Sequence, residues 1–176
     1  MESKWIDCIH KAVMPDTGDN HLGHRIHGYI LGFDFGLRRI GVAVGQFTTK
    51  TATSLETVGH GTTPDWAAVD RLVREWKPAL LVVGLPLNLR GEETDMSRAA
   101  RKFGASLEDR YSLDISFSDE RLTSHAAESR FAELRSQGRL KKKHARQLDA
   151  VAAQIILENW IQSSPGKTMK KGVNRG

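Results

Sequence analysis

Between residues 30 and 58 apolar positions alternate with small or polar ones, the period of a half-buried strand. Between 66 and 111 they recur every three or four residues, the period of a helix, on either side of one unbroken apolar run. Short polar turns divide the alternating stretch into strands over residues 30–35, 40–47 and 51–58, which predicts an antiparallel meander. Thr63, Pro64 and Asp65 then mark a helix start, with the threonine hydroxyl as N-cap and the proline in the first turn. Trp66, Val69, Val73 and Trp76 follow at helical spacing until Pro78 ends the pattern. The run over 79–85 is apolar throughout, as a central parallel strand covered on both faces requires. After a loop over 86–93, a helix over 94–111 carries Met96, Ala100, Phe103 and Leu107 on one stripe, and a fifth strand spans 113–118. Two further helices are predicted over 123–135 and 145–162, with a loop over 138–143 between them.

This order of elements predicts an α/β domain over residues 29–163: a three-stranded antiparallel meander continued by parallel crossover units, with helices on both faces of the sheet. Residues 1–28 hold Pro15, Gly18, Gly23, Gly28 and four histidines without sustained periodicity, and predict a disordered extension. His21, His24 and His27 fall three apart, but the glycines oppose the helix that would align them on a metal. Residues 164–176, rich in Gly and Lys, predict a disordered basic tail.

A chain of 176 residues with 39% hydrophobic and 27% charged residues suits one domain with a substantial core. Its single cysteine, Cys8, excludes an intramolecular disulfide and any cysteine-built metal centre, and fits a reducing compartment. Its apolar runs are too short to span a bilayer, and the first residues lack the apolar core of a signal peptide, so the expectation is a cytoplasmic protein with no membrane partner. The net charge of +5 points to a polyanionic partner, but most of the excess lies in the tail: residues 164–176 carry four basic and no acidic side chains.

Three carboxylates break the pattern. In the first strand Leu31, Phe33 and Phe35 share one face and Ile30, Gly32 and Asp34 the other. Both faces are apolar enough to be covered, so Asp34 needs a partner or a cation. In the fifth strand alternation puts Asp114, Ser116, Ser118 and Glu120 on one face, with Glu120 at the carboxyl end, where open α/β sheets place their ligands. In the last helix Asp149 lies in line with Ala152, Ala153, Ile156 and Trp160, inside the apolar stripe. Taken alone, any one of these acids reads better as a salt-bridged or capping carboxylate, and it is the three together that favour a metal site. Three facing inward repel one another unless a cation joins them. Oxygen ligands, few and with room for water, suit Mg²⁺, with Mn²⁺ as a substitute, and the chemistry that follows is metal-assisted phosphodiester hydrolysis.

GFDFGLRRIGVAVG, then TPDW with REWKP and LLVVGLPLN, then SDERLTS, then LDAVAAQIILENW together resemble the YqgF family of RNase H-like nucleases, known as pre-16S rRNA nucleases or Holliday-junction resolvase-like proteins. The resemblance spans four motifs in order. It implies an RNase H-like fold, a hydrolase acting on nucleic acid in the 5′-end maturation of pre-16S rRNA during ribosome biogenesis, and the acidic triad Asp34, Glu120 and Asp149 as catalytic and metal-binding residues. Two departures stand out. Residues 1–28 have no counterpart in the family core, and KKKHARQLD replaces a glycine-containing approach to the third acid.

Around the triad, Arg39 in the turn after Asp34, Asn88 in the loop after the fourth strand and Arg121 beside Glu120 are candidate substrate contacts. The basic run Lys141, Lys142 and Lys143 is a candidate clamp on a phosphate backbone. The partner expected is nucleic acid, pre-rRNA ahead of branched DNA, with ribosomal particles as a further contact and the protein a monomer or homodimer. Two other readings stay open: a Holliday junction resolvase, and a non-catalytic rRNA-binding assembly factor. The actin and sugar-kinase fold has a similar phosphate loop but needs two related lobes, for which this chain is too short.

Overall fold

The computed structural model of the protein describes residues 28–119 and 142–163. Strands β1 (Tyr29–Phe35), β2 (Arg39–Gln46) and β3 (Thr51–Gly59) form the meander. They are followed by helix α1 (Trp66–Trp76), strand β4 (Leu80–Leu85), helix α2 (Asp95–Tyr111), strand β5 (Ile115–Asp119) and helix α3 (Lys142–Ser163). The sheet order is β3-β2-β1-β4-β5, with β1, β2 and β3 antiparallel and β4 and β5 added in parallel to β1. This is the RNase H-like arrangement that the sequence implied.

Alternation in the strands produces two cores. Leu31, Phe33 and Phe35 of β1 join Ile40, Val42 and Val44 of β2 and Leu81, Val83 and Leu85 of β4 beneath Val69 and Leu72 of α1 and Ala100, Phe103 and Leu107 of α2. Phe103 is the hub, its ring 5.6 Å from that of Phe33, 5.2 Å from Phe35 and 6.0 Å from Trp66. On the opposite face Ile30, Ala43, Ala52, Leu80 and Val82 pack against Ala153, Leu157, Trp160 and Ile161 of α3. Every residue of β4 is buried, as a strand flanked on both edges and covered on both faces must be.

Strand β5 spans Ile115–Asp119 where 113–118 was expected, and two helix starts also differ from expectation. Helix α1 is capped by the Asp65 carboxylate, which accepts from the Ala68 N–H, and not by Thr63. Pro64 lies outside the helix, in a bridge to His60, and a carboxylate one residue later is an equally competent cap. Helix α3 begins at Lys142, so Lys142 and Lys143 belong to its first turn and not to a loop. No glycine or proline stands between Gly138 and Asp149, and lysine, alanine, arginine and glutamine all favour the helix. The helix expected over 123–135 lies outside the described residues, as do the extension over 1–27 and the tail over 164–176. No described helix is long and apolar enough to cross a membrane.

A polar clasp joins α1 to α2. The Arg110 guanidinium donates two bonds of 2.7 Å to the Asp70 carboxylate, the Tyr111 hydroxyl donates a third at 2.6 Å, and Arg110 also lies over the Trp66 ring. These bonds hold the Asp70 carboxyl well below the usual carboxylate range. A single exposed ion pair contributes little, but a forked pair with a third donor is a stronger arrangement. Asp70→Asn is expected to lower Tm at pH 7. Because the folded-state pKa is depressed, the wild-type advantage should shrink as pH falls below about 4. Thermal melts of both proteins at pH 7 and pH 3.5 check this.

Candidate active site

The site is built where β1, β2 and α3 meet. Asp34 stands one residue from the end of β1, on the face covered by α3, directly opposite Gly41 of β2. On that face β1 and β2 present Ile30, Gly32 and Asp34 against Gly41, Ala43 and Gly45, a trough of small side chains. Helix α3 lies in the trough. A Cβ at Gly32 would come within 2.9 Å of Leu157 Cβ, and one at Gly45 within 3.0 Å of Leu157 and Ile161. At Gly41 the approach is closest, for a Cβ there would lie 1.8 Å from the Asp149 carbonyl oxygen. Glycine in mid-strand therefore lets the α3 backbone sit on β2 and delivers Asp149 beside Asp34.

The two carboxylates feel each other. Burial, and then the charge of Asp149, push the Asp34 carboxyl up to about 6. Burial raises Asp149 too, while Arg39 pulls it back down. Arg39, the first residue of β2, places its Nε 2.8 Å from Asp149 Oδ2. That oxygen is buried and receives no hydrogen bond, so the contact is one of charge without a directed N–H. A buried acidic oxygen without a donor, beside a second carboxyl pushed up by burial and by its neighbour's charge, fits a hard divalent cation.

The turn between Asp34 and Arg39 is pinned from both sides. The Gly36 N–H donates to the Arg39 carbonyl at 3.0 Å, His60 Nδ1 lies 2.7 Å from the Gly36 carbonyl, and the His60 N–H donates to the Arg38 carbonyl. His60, at the end of the meander, thus fixes the loop that follows Asp34.

Of the third carboxylate the approach alone is described. In β5, Ser116 receives the Trp160 indole N–H at 2.8 Å and the Ser118 hydroxyl points at the Ile156 carbonyl of α3, so both serines face α3 as alternation predicts. Glu120, Arg121 and Lys141 lie outside the described residues. Among the described residues no group of three or more His, Cys, Asp or Glu side chains converges. Asp34 and Asp149 form a pair.

Residues 28–163 match the family model described as RuvX, Holliday junction resolvase. The chain belongs to the RuvX family. Among its relatives, the "Putative pre-16S rRNA nuclease" of Hydrogenovibrio crunogenus is 46% identical over 139 residues, covering 78% of this chain and 96% of the relative. The protein of the same name from Dechloromonas aromatica is 48% identical over 137 residues, covering 77% of this chain and 92% of the relative. Among solved structures, Thermus thermophilus RuvC in complex with a Holliday junction substrate aligns with a TM-score of 0.49 at 16% identity, over 81% of this chain and 100% of that one.

In this RuvX-family chain the other candidate residues within the described segments lie in the loop after β4 and at the start of α3. Asn88 organises its own loop: its Oδ1 accepts the N–H groups of Arg90 and Glu92, each at 2.9 Å, and its Nδ2 donates to the Glu92 carboxylate. Gly91 completes the turn at φ 84°. The loop leaves Leu89 and Arg90 exposed. Lys142 and Lys143 open α3, about 10 Å along its axis from Asp149. Gly41 and His60 escaped the sequence reading. Gly41 had a signal, a glycine inside a strand pattern, which marks a close backbone approach. His60, a lone histidine in a glycine-flanked turn, had none.

Proposed function

We propose that the protein is a Mg²⁺-dependent endonuclease of the cytoplasm that hydrolyses phosphodiester bonds in the 5′-end maturation of pre-16S rRNA, with residues 29–163 as its nuclease domain. The observation that carries this reading is the Asp34–Asp149 pair, two inward carboxylates brought together across Gly41 with a buried oxygen left without a donor. Asp34, Asp149 and Glu120 would hold Mg²⁺, or Mn²⁺ in its place. The ion would supply a lowered pKa for an attacking water and charge stabilisation at the phosphate. The chain's own part is positional. The sheet and α3 fix two carboxylates within one charge field, and the pinned turn sets Arg39 at the sheet end. Arg39, Arg121 and the lysines 141–143 contact substrate phosphates, and Asn88 holds the loop beneath Arg90 in shape.

The name the relatives share favours an rRNA substrate. The family description favours a second reading, cleavage of a four-way DNA junction. The test is cleavage of an end-labelled precursor rRNA fragment and, in parallel, a four-way DNA junction, each with Mg²⁺ or EDTA. Mg²⁺-dependent cutting of the RNA alone is the expected result. Cutting of the junction alone would move the assignment to a resolvase, and RNA binding without cleavage of either would leave an assembly factor. Replacing Lys141, Lys142 and Lys143 with alanine is expected to weaken RNA binding and reduce the slope of log K against log salt by about 2, measured by fluorescence anisotropy over a salt series.

A further inference from the structure

Arg39 sets its guanidinium against Asp149, one of the carboxylates proposed to hold the ion. Its Nε stands 2.8 Å from Asp149 Oδ2, an oxygen that is buried and receives no hydrogen bond. We propose that Arg39 is the resident counter-charge of Asp149 in the metal-free protein, that a divalent ion displaces it, and that the released guanidinium passes to a phosphate of the nucleic acid. Metal loading and substrate binding then favour each other. The proposal rests on Asp34 and Asp149 forming the metal site.

The geometry has the features such an exchange needs. The backbone of Arg39 is fixed, paired with Gly59 of β3 and accepting the Gly36 N–H, so any movement is confined to the side chain. That side chain is 43% exposed while the Asp149 side chain is 26% exposed, so the arginine leaves toward solvent without opening the core. The contact it gives up is a charge contact without a directed hydrogen bond, the easier kind to exchange. A Mg²⁺ ion binds carboxylate oxygen at about 2.0–2.1 Å, and a guanidinium held against the same oxygen would oppose it. Once displaced, the guanidinium is a planar fork that matches phosphate, carried by the first residue of β2, two residues before Gly41, the partner of Asp34 in the ladder. A phosphate that takes Arg39 removes the competitor of the metal. By linkage the metal strengthens phosphate binding by the same factor. Had Arg39 served to orient Asp149 toward the ion, its removal would weaken metal binding. Displacement predicts the opposite sign.

The test is calorimetric titration of Mg²⁺ into the full chain, as wild type, Arg39→Gln and Arg39→Lys, with and without a saturating RNA oligonucleotide, beside thermal melts in EDTA. Arg39→Gln is expected to bind Mg²⁺ about tenfold more tightly than wild type in the absence of RNA, and to bind RNA more weakly. RNA should tighten Mg²⁺ binding in wild type and leave Arg39→Gln unchanged. Arg39→Lys, which keeps the charge but not the fork, should fall between them. Equal or weaker Mg²⁺ binding by a folded Arg39→Gln would overturn the proposal, and so would the same result in Arg39→Lys should the glutamine variant fail to fold. Absence of Mg²⁺ binding in all three proteins would overturn the metal-site reading itself, a separate outcome.

Discussion

Asp34→Asn is expected to reduce phosphodiester cleavage by on the order of a thousandfold or more, while making the metal-free protein more stable. Both effects come from one carboxylate. The substitution keeps the volume and removes one carboxylate charge, so under the proposed metal-dependent hydrolysis the site would lose its ion. Without metal, the same charge is a burden. The Asp34 carboxyl is pushed up to about 6 by burial and by Asp149, so the folded state holds a proton that the unfolded chain has already released. A pKa raised above its unfolded value means that wild-type stability declines as pH rises from about 4 to about 6 and stays lowered above that. The advantage of Asp34→Asn should be near zero at pH 4 and reach about 2 kcal/mol at pH 7, after allowance for the partial exposure of Asp34. Melts in EDTA at the two pH values check the sign, and a variant less stable than wild type at both would contradict it.

Gly41→Val is expected to have the second largest effect, although the residue carries no functional group. A Cβ at this position would stand 1.8 Å from the Asp149 carbonyl oxygen, which is backbone and cannot rotate away. Either α3 lifts from β2 or the β1–β2 ladder breaks, and both separate Asp34 from Asp149. Overpacking a tolerant core site costs about 1–3 kcal/mol, and a clash with fixed backbone costs more. The expected result is a loss of more than about 3 kcal/mol in urea unfolding, together with loss of cleavage in whatever fraction remains folded. Gly41→Ala should show the same direction to a smaller degree. Full activity in Gly41→Val would mean that the close approach of α3 is not what assembles the site.

The legibility of the chain varied with the kind of force involved. Two-residue alternation in β1 correctly assigned Leu31, Phe33 and Phe35 to one core and Ile30 to the other, because burial acts on each side chain alone. The unbroken run of β4 announced a central parallel strand for the same reason. Asp149 was legible as an acid inside an apolar stripe, and the structure brings it to Asp34. Harder to read were features set by geometry between segments. Asp65 took the cap that Thr63 could have taken, a choice made by the bridge between His60 and Pro64. The start of α3 moved to Lys142 because helix propensity continued through a basic run that composition suggested was a loop. The ion pair of Arg39 with Asp149 joins residues far apart in sequence, and no local pattern in the chain announces it.

The most direct measurement is Mn²⁺ binding, followed by electron paramagnetic resonance, to wild type, Asp34→Asn and Asp149→Asn. If the pair across Gly41 is a metal site, wild type binds Mn²⁺ and each single substitution weakens binding by about tenfold or more, since each removes one of the charges that hold the ion. Undiminished Mn²⁺ affinity in both folded variants would contradict the account.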